Sequence, residues 1–401
     1  MLLQIMIFIF LFSSCEKENE IINPDVPDTN IKTASFFVAT DGSDSNPGTY
    51  EKPFASWQKA FNMAKAGDTV YIRGGTYYPD NADQYGVYIS NKSGSEGNLI
   101  SILAYPGERP ILDVSTLSSS NENFGILLVK TNYWHLKGLE VIGTSQHGKN
   151  QLAMAVRMLD GNNNIFELLR LHDNEGTGLN IANNVDNNLV LNCDFYNNHD
   201  PHTAIPGGNA DGCSIAYVYE RNGNERRNVI RGCRAWNNSD DGFDFWQNEG
   251  IVTIDSTWAF NNGYDHGDGN GFKMGTTSGT PESSPQRIVE NSISSANSQN
   301  GIDQSGSNVL MEFNRNISFN NLYYGFYLCD FRDLTVILTN NVSHNNVHSD
   351  CFPANAVHSN NSWDGGITLT NDDFINISNN LTKNRQSNGS LPKLSLLKNK
   401  L

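Results

Sequence analysis

The chain has 401 residues, 38% of them hydrophobic and 17% charged, with a formal net charge of −16. That length exceeds what one ordinary compact core organises but suits a single elongated repeat domain. The balance of 27 Lys plus Arg against 43 Asp plus Glu excludes a nucleic-acid partner, and it means that an acidic ligand would need a local cation.

Residues 1–14 read as a targeting segment. Met1 to Phe12 is almost wholly apolar, Ser13 and Ser14 are small, and Cys15 follows. Such a run is too short to span a bilayer and matches a signal h-region. Its small-small-Cys ending resembles a bacterial lipoprotein signal, which would make Cys15 the lipidated first residue of an outer-membrane protein, at the cell surface or in the periplasm. No Lys or Arg precedes the run, and a plain cleaved leader with secretion is the alternative. Residues 15–34 are acidic, contain Pro24 and Pro27, and read as a flexible tether. Residues 35–401 form the remaining domain.

Phe54, Trp57, Phe61 and Ala64 have helical spacing and Gly67 supplies a stop. Thr69-Val-Tyr-Ile-Arg then reads as the first strand. The helix is expected to cap the open end of a solenoid, whose terminal rung would otherwise expose its core.

Further on, a frame of apolar residues closing on asparagine recurs at Asn174, Asn198, Asn238, Asn262, Asn297, Asn321 and Asn346. The steps are 24, 40, 24, 35, 24 and 25 residues, and insertions near 199–209 and 276–285 account for the long ones. After each Asn come a Gly and a short strand, as in Gly212-Cys-Ser-Ile, Gly242-Phe-Asp-Phe, Gly271-Phe-Lys-Met and Gly301-Ile-Asp-Gln. Period-2 alternation turns the first and third residues inward and the second outward. Repeats of this length with several short strands predict an all-β fold, a parallel β-helix whose equivalent residues stack about 4.8 Å apart. The asparagines are expected to stack and satisfy one another. Cys193, Cys213, Cys233, Cys329 and Cys351 are odd in number and are expected to be small core residues, not a disulfide framework. After about Asn380 the repeat fades, and Leu391–Leu401 shows no evident cap.

Stacking makes neighbours of distant residues. Asp211 and Asp241 precede the strand glycine on adjacent rungs, Asp240 shares a turn with Asp241, and Asp244 points outward nearby. Carboxylates so placed repel one another unless one is protonated or a cation lies between them, and hard oxygens suit Ca²⁺. A scatter of solvated turn aspartates is the plainer reading. Lys273 falls in the outward column between Asp244 and Asp303, an arrangement that is more often an ion-pair ladder than a base. Arg231, Asn270, Asp303 and Tyr327 are the weaker candidates for ligand contacts on that face, and Trp246 for a stacking contact or for covering a rung edge.

The segments Asn209-Ala-Asp-Gly, Ser239-Asp-Asp-Gly-Phe-Asp-Phe-Trp and Gly269-Asn-Gly-Phe-Lys-Met-Gly resemble polysaccharide lyase family 9. So do Ala39-Thr-Asp-Gly-Ser-Asp-Ser-Asn-Pro-Gly-Thr and Gly67-Asp-Thr-Val-Tyr-Ile-Arg-Gly-Gly-Thr-Tyr. The resemblance covers about residues 35 to 390. It implies a right-handed parallel β-helix, a Ca²⁺ held by Asp211, Asp240, Asp241 and Asp244, and Lys273 as Brønsted base. It also implies an acidic pectic substrate, polygalacturonate or rhamnogalacturonan I, cleaved by β-elimination. A monomer is expected. Two departures are Thr276, where a second Gly often follows the lysine block, and a shortened tail. The alternatives are a β-helix hydrolase, which would use Asp240 and Asp241 as acid and base but lacks Gly-His-Gly and Arg-Ile-Lys motifs, and a non-catalytic surface glycan-binding protein.

Overall fold

Three parallel sheets of 12, 10 and 9 strands wind about one apolar core in the computed structural model, which describes residues 34–394 apart from 80–83, 150, 220–226, 276–284, 332–333, 366 and 368. The leader, the tether up to residue 33, Cys15 and Thr276 lie outside the described residues. A rung lays one strand in each sheet in turn. Thr177–Ala182 lies in the nine-stranded sheet, Leu189–Leu191 in the twelve-stranded and Asp194–Tyr196 in the ten-stranded, before Cys213–Ala216 returns to the first.

The turn that leads back to the nine-stranded sheet explains the repeat. Each closing asparagine donates its Nδ2 to the Oδ1 of the next, from Asn174 through to Asn346, at 2.9–3.1 Å. The residue before it sits in the left-handed region, as at Asn197, Asn237, Asn261, Asn320 and Asn345, which favours an Asn-Asn pair. The strand glycine answers a different constraint. A Cβ on Gly242 would lie 2.6 Å from the Gly271 carbonyl oxygen and 3.0 Å from the Asn262 amide, so only glycine lets the rungs close.

The long rungs each contain two insertions, one more than the sequence reading gave them. Asn198 stands 14 residues before Gly212 and Asn262 stands 9 before Gly271, where Asn238 and Gly242 are 4 apart. The chain is also longer between strands Cys213–Ala216 and Arg227–Arg231, and between Phe272–Lys273 and Arg287–Glu290, than between Phe243–Asp244 and Ile251–Asp255. None of this disturbs the ladder, because the additions sit between the pairing points of the rung.

At the N-terminal end the solenoid starts one strand earlier than expected, with Phe36–Val38 paired to Thr69–Ile72. Helix α1 (Trp57–Met63) is N-capped by Ser56 and buries Trp57, Ala60 and Phe61. Phe54 precedes it, bridged to Val38. Gln58 of α1 hydrogen-bonds the backbone N–H and carbonyl of Tyr88, so the helix covers the free edge strand Tyr85–Ser90.

The C-terminal part departs from the expectation of an uncapped tail. Helix α2 (Asn371–Leu381) carries a Thr370–Asp373 capping box and lies on the outer face of the ten-stranded sheet, where Phe374, Ile377 and Leu381 pack with Trp258, Phe260, Ile293 and Phe319. The chain then doubles back. Arg385 reaches both carboxylate oxygens of Asp194 and the carbonyls of Cys193 and Gly232, while Arg234 holds the carbonyls of Leu381 and Lys383.

The cysteine reading needs one correction: Cys329 and Cys351, on adjacent rungs with Cα atoms 5.5 Å apart, form a disulfide. Cys193, Cys213 and Cys233 are free and buried as expected. The first and third also serve a second ladder, where the Cys193 N–H meets Cys233 Sγ, Cys233 N–H meets Thr257 Oγ1, and Thr257 N–H meets Ser292 Oγ.

Candidate active site

Toward its C-terminal edge the nine-stranded sheet narrows to two-residue strands, Phe243–Asp244, Phe272–Lys273, Ile302–Asp303 and Phe326–Tyr327. Each sends one ring or branched chain into the core and one polar residue out. Register aligns Ser214 with Asp244, Asp244 with Lys273, Lys273 with Asp303, and Asp303 with Tyr327. The outward column inferred from alternation is therefore real. Its members at 180, 214, 244 and 273 are nonetheless buried, because the insertion turns rise beside them.

Those turns build a cleft of about 680 Å³ lined by Arg157, Asn180, Thr203, Asn209, Asp211, Asp244, Trp246 and Lys273. A second hollow of about 420 Å³ continues past Lys273 to Asp303, Tyr327 and Asp330. Asp200, fully buried at the foot of the first insertion, accepts hydrogen bonds from Thr203, Asn209 and Ser239 and braces that wall.

At the centre, carboxylate oxygens of Asp211, Asp240 and Asp241 lie within 4.8 Å of one another, all buried. Asp244 stands beside them on the strand. Burial, then mutual repulsion, pushes the Asp211 and Asp240 carboxyls well above the ordinary range. Burial also pushes Asp244 up to about 7, against the pull of Lys273. Asp211 Oδ1, Asp241 Oδ2 and Asp244 Oδ1 are buried without a hydrogen-bond donor. Buried oxygens left unbonded among like charges fit a hard divalent cation, and this cluster can hold a metal ion.

Lys273 Nζ lies 3.0 Å from Asp241 Oδ2, out of line for a hydrogen bond, and donates to Asp268 Oδ2 at 2.7 Å. It also sits 5.8 Å from the Trp246 ring centre. Burial disfavours the ammonium, but Asp241, Asp244, Asp240 and Asp268 outweigh it and hold the proton on well above the usual lysine value. A neutral lysine therefore requires compensation of that negative field.

The other predicted residues divide. Asp303 and Tyr327 line the second hollow. Asn270 is buried, and its N–H and Nδ2 both donate to Asp241 Oδ1, so it orients a carboxylate. Arg231 is not on this face. It belongs to the twelve-stranded sheet, where Nε meets Asp255 Oδ2 at 3.0 Å, because alternation distinguishes in from out but not one sheet from another. Sequence reasoning missed Asp268, which bonds Lys273 and whose N–H donates to Asp240 Oδ1. Its signal was the insertion after Asn262. It missed Arg157 as well, which lies upstream of the recognised repeat.

A family model for the Pel9A-like, right-handed β-helix region matches residues 36–346. The chain is 32% identical to pectate lyase L of Dickeya chrysanthemi over 375 residues, spanning 90% of this chain and 83% of that one. Among solved structures it is similar to a rhamnogalacturonan lyase, with TM-score 0.76, 31% identity, and coverage of 89% of this chain and 94% of the other. It is also similar to pectate lyase Pel9A, with TM-score 0.73, 30% identity, and coverage of 89% and 87%. The family match over most of the chain, together with these relatives, shows that the chain belongs to the Pel9A-like right-handed β-helix family of polysaccharide lyases.

Proposed function

We propose that this lyase cleaves a pectic uronate polymer, polygalacturonate or rhamnogalacturonan I, by calcium-dependent β-elimination with Lys273 as the Brønsted base. The observation that carries the reading is a set of buried, unbonded carboxylate oxygens beside a cleft-facing lysine on the next rung. In the reaction the C5 proton passes to Lys273 Nζ and its electron pair forms the C4–C5 double bond. The C4–O bond breaks, its electrons stay on the glycosidic oxygen, and that oxygen takes up a proton. A Ca²⁺ held by Asp211, Asp240, Asp241 and Asp244 would neutralise the uronate carboxylate, so acidifying C5–H, and would offset the negative field on Lys273.

The remaining work belongs to the chain. Asn270 fixes the rotamer of Asp241, and Asp268 holds Nζ toward the cleft. Lys273 must be neutral to accept a proton, so the rate is expected to rise into the alkaline range. The small-small-Cys leader further supports action from the outer membrane on a Cys15 lipid, and Cys15→Ser is expected to move the enzyme to the soluble fraction.

The test is to incubate the protein with either polymer and Ca²⁺ and to follow ultraviolet absorbance of the unsaturated product. Absorbance should rise, and both a chelator and Lys273→Ala should abolish the rise. Full eliminase activity in Lys273→Ala would remove the base assignment, and reducing ends without absorbance would mean hydrolysis.

A further inference from the structure

The outward column of the nine-stranded sheet contains a second cation. Register aligns Leu127 with Arg157 and Arg157 with Asn180, and the same cleft reaches from Arg157 to Lys273. Four rung steps separate the two, about 19 Å at ~4.8 Å per step. Between them the column holds only Asn180 and Ser214, bonded to each other at 2.9 Å, and then Asp244. The floor is thus low and neutral next to Arg157.

Arg157 is half-buried, and it differs from the arginines that tie the fold together. Arg234 and Arg385 share Asp194 and take backbone carbonyls, and Arg287 donates to the carbonyls of Met274, Gly250 and Asn248. Among the described residues the Arg157 guanidinium donates no hydrogen bond and closes no ion pair, although its Nε is wholly buried. Its guanidinium lies 5.3 Å from the Phe124 ring centre. Burial lowers its pKa, with Glu122, Tyr217 and Tyr85 acting in the opposite direction. A planar fork kept half-buried with its donors unspent is costly unless a ligand completes it, and the group that matches it is a carboxylate bound in two-point fashion. The overall charge of −16 makes such a local cation all the more necessary for a polyanion.

We infer that Arg157 forms a distal subsite that binds the carboxylate of a uronate residue on the chain held at Lys273, and so selects long acidic polymers. The inference rests on the proposed eliminase reading for its substrate class. It makes Arg157 a binding residue remote from the reacting bond, which is expected to act on KM and not on kcat.

The experiment compares wild type, Arg157→Gln and Arg157→Lys, all with Ca²⁺, on polygalacturonate and on di- and trimeric uronates too short to span the distance. For the polymer, Arg157→Gln should raise KM roughly ten- to a hundredfold with kcat little changed, while the short substrates respond alike in all three proteins. Arg157→Lys, which keeps the charge but loses the fork, should recover part of the loss. Calorimetric binding of a long acidic oligomer should weaken by the same factor, and of its methyl ester not at all. Melting of each variant separates misfolding from the binding effect. Equal KM for polymer in a folded Arg157→Gln, or equal losses on short and long substrates, would overturn the inference. If wild type makes no unsaturated product at all, the eliminase reading fails, whereas calorimetry still decides whether Arg157 binds an acidic sugar.

Discussion

Asn262→Ala gives the sharpest test of how the rungs are held. Asn262 Oδ1 accepts from the Asn238 N–H and Nδ2 at 3.2 and 3.0 Å, and its Nδ2 donates to the Ala235 carbonyl and Asn297 Oδ1 at 3.1 and 3.0 Å. Truncation removes all four bonds. Asn238 Nδ2 keeps a bond to the Phe195 carbonyl, but the buried Asn238 N–H loses the only acceptor the ladder gives it. At about 1 kcal/mol for each bond, with a further cost of about 1–3 kcal/mol for an orphaned buried donor, the loss is about 4–5 kcal/mol after partial relaxation. Urea unfolding followed by circular dichroism measures it, with Asn184→Ala as comparison. Asn184 is exposed and bonds Asp160, so its removal should cost no more than about 0.5 kcal/mol. The turn after Asn262 leads to Asp268 and Lys273, so eliminase activity should fall at temperatures where bulk secondary structure persists. If Asn262→Ala unfolds at the same denaturant concentration as Asn184→Ala, the ladder is not what secures the stack.

Other outcomes follow from the same geometry. Asp211→Asn makes one member of the buried cluster permanently neutral, so it should weaken Ca²⁺ at least tenfold in calorimetry while raising the metal-free melting temperature. Arg385→Met strands part of the buried Asp194 carboxylate and should cost about 3–5 kcal/mol, read as faster proteolysis of residues 382–394. Burial raises the Glu140 pKa, but hydrogen bonds from His172 and Arg109 outweigh it and bring the value from 4.5 to about 2. A depressed carboxyl contributes stability above pH 4.5 that is lost as pH falls toward 2, so Glu140→Gln should flatten that acid limb of a melting curve.

What could be read in advance followed from backbone periodicity. The step of 24 residues from Asn174 to Asn198 and the outward place of Lys273 are properties of spacing, and they survive insertion because each rung is re-indexed by its asparagine. Three kinds of feature escaped. Alternation says nothing about which sheet a residue occupies, hence the misplacement of Arg231. Residues carried on irregular turns, such as Asp268, have no period to give them away. Contacts between segments far apart in sequence, such as helix α2 on the flank of the ten-stranded sheet, depend on the assembled stack, whereas the Cys329–Cys351 bond spans 22 residues, about one rung, and was missed because an odd cysteine count pointed away from pairing.

In a stacked solenoid each rung ordinarily senses only the two beside it, so damage at one end need not be felt at the other. The returning tail breaks that rule here. Arg385 touches Asp194 across 191 residues of chain, while the helix just before it grips strands as far along as Val342. Rungs that would melt one after another are thereby strapped into a single cooperative block, which takes in the carboxylate cluster and Lys273. Losing the strap should therefore turn one sharp unfolding transition into a broad, stepwise one.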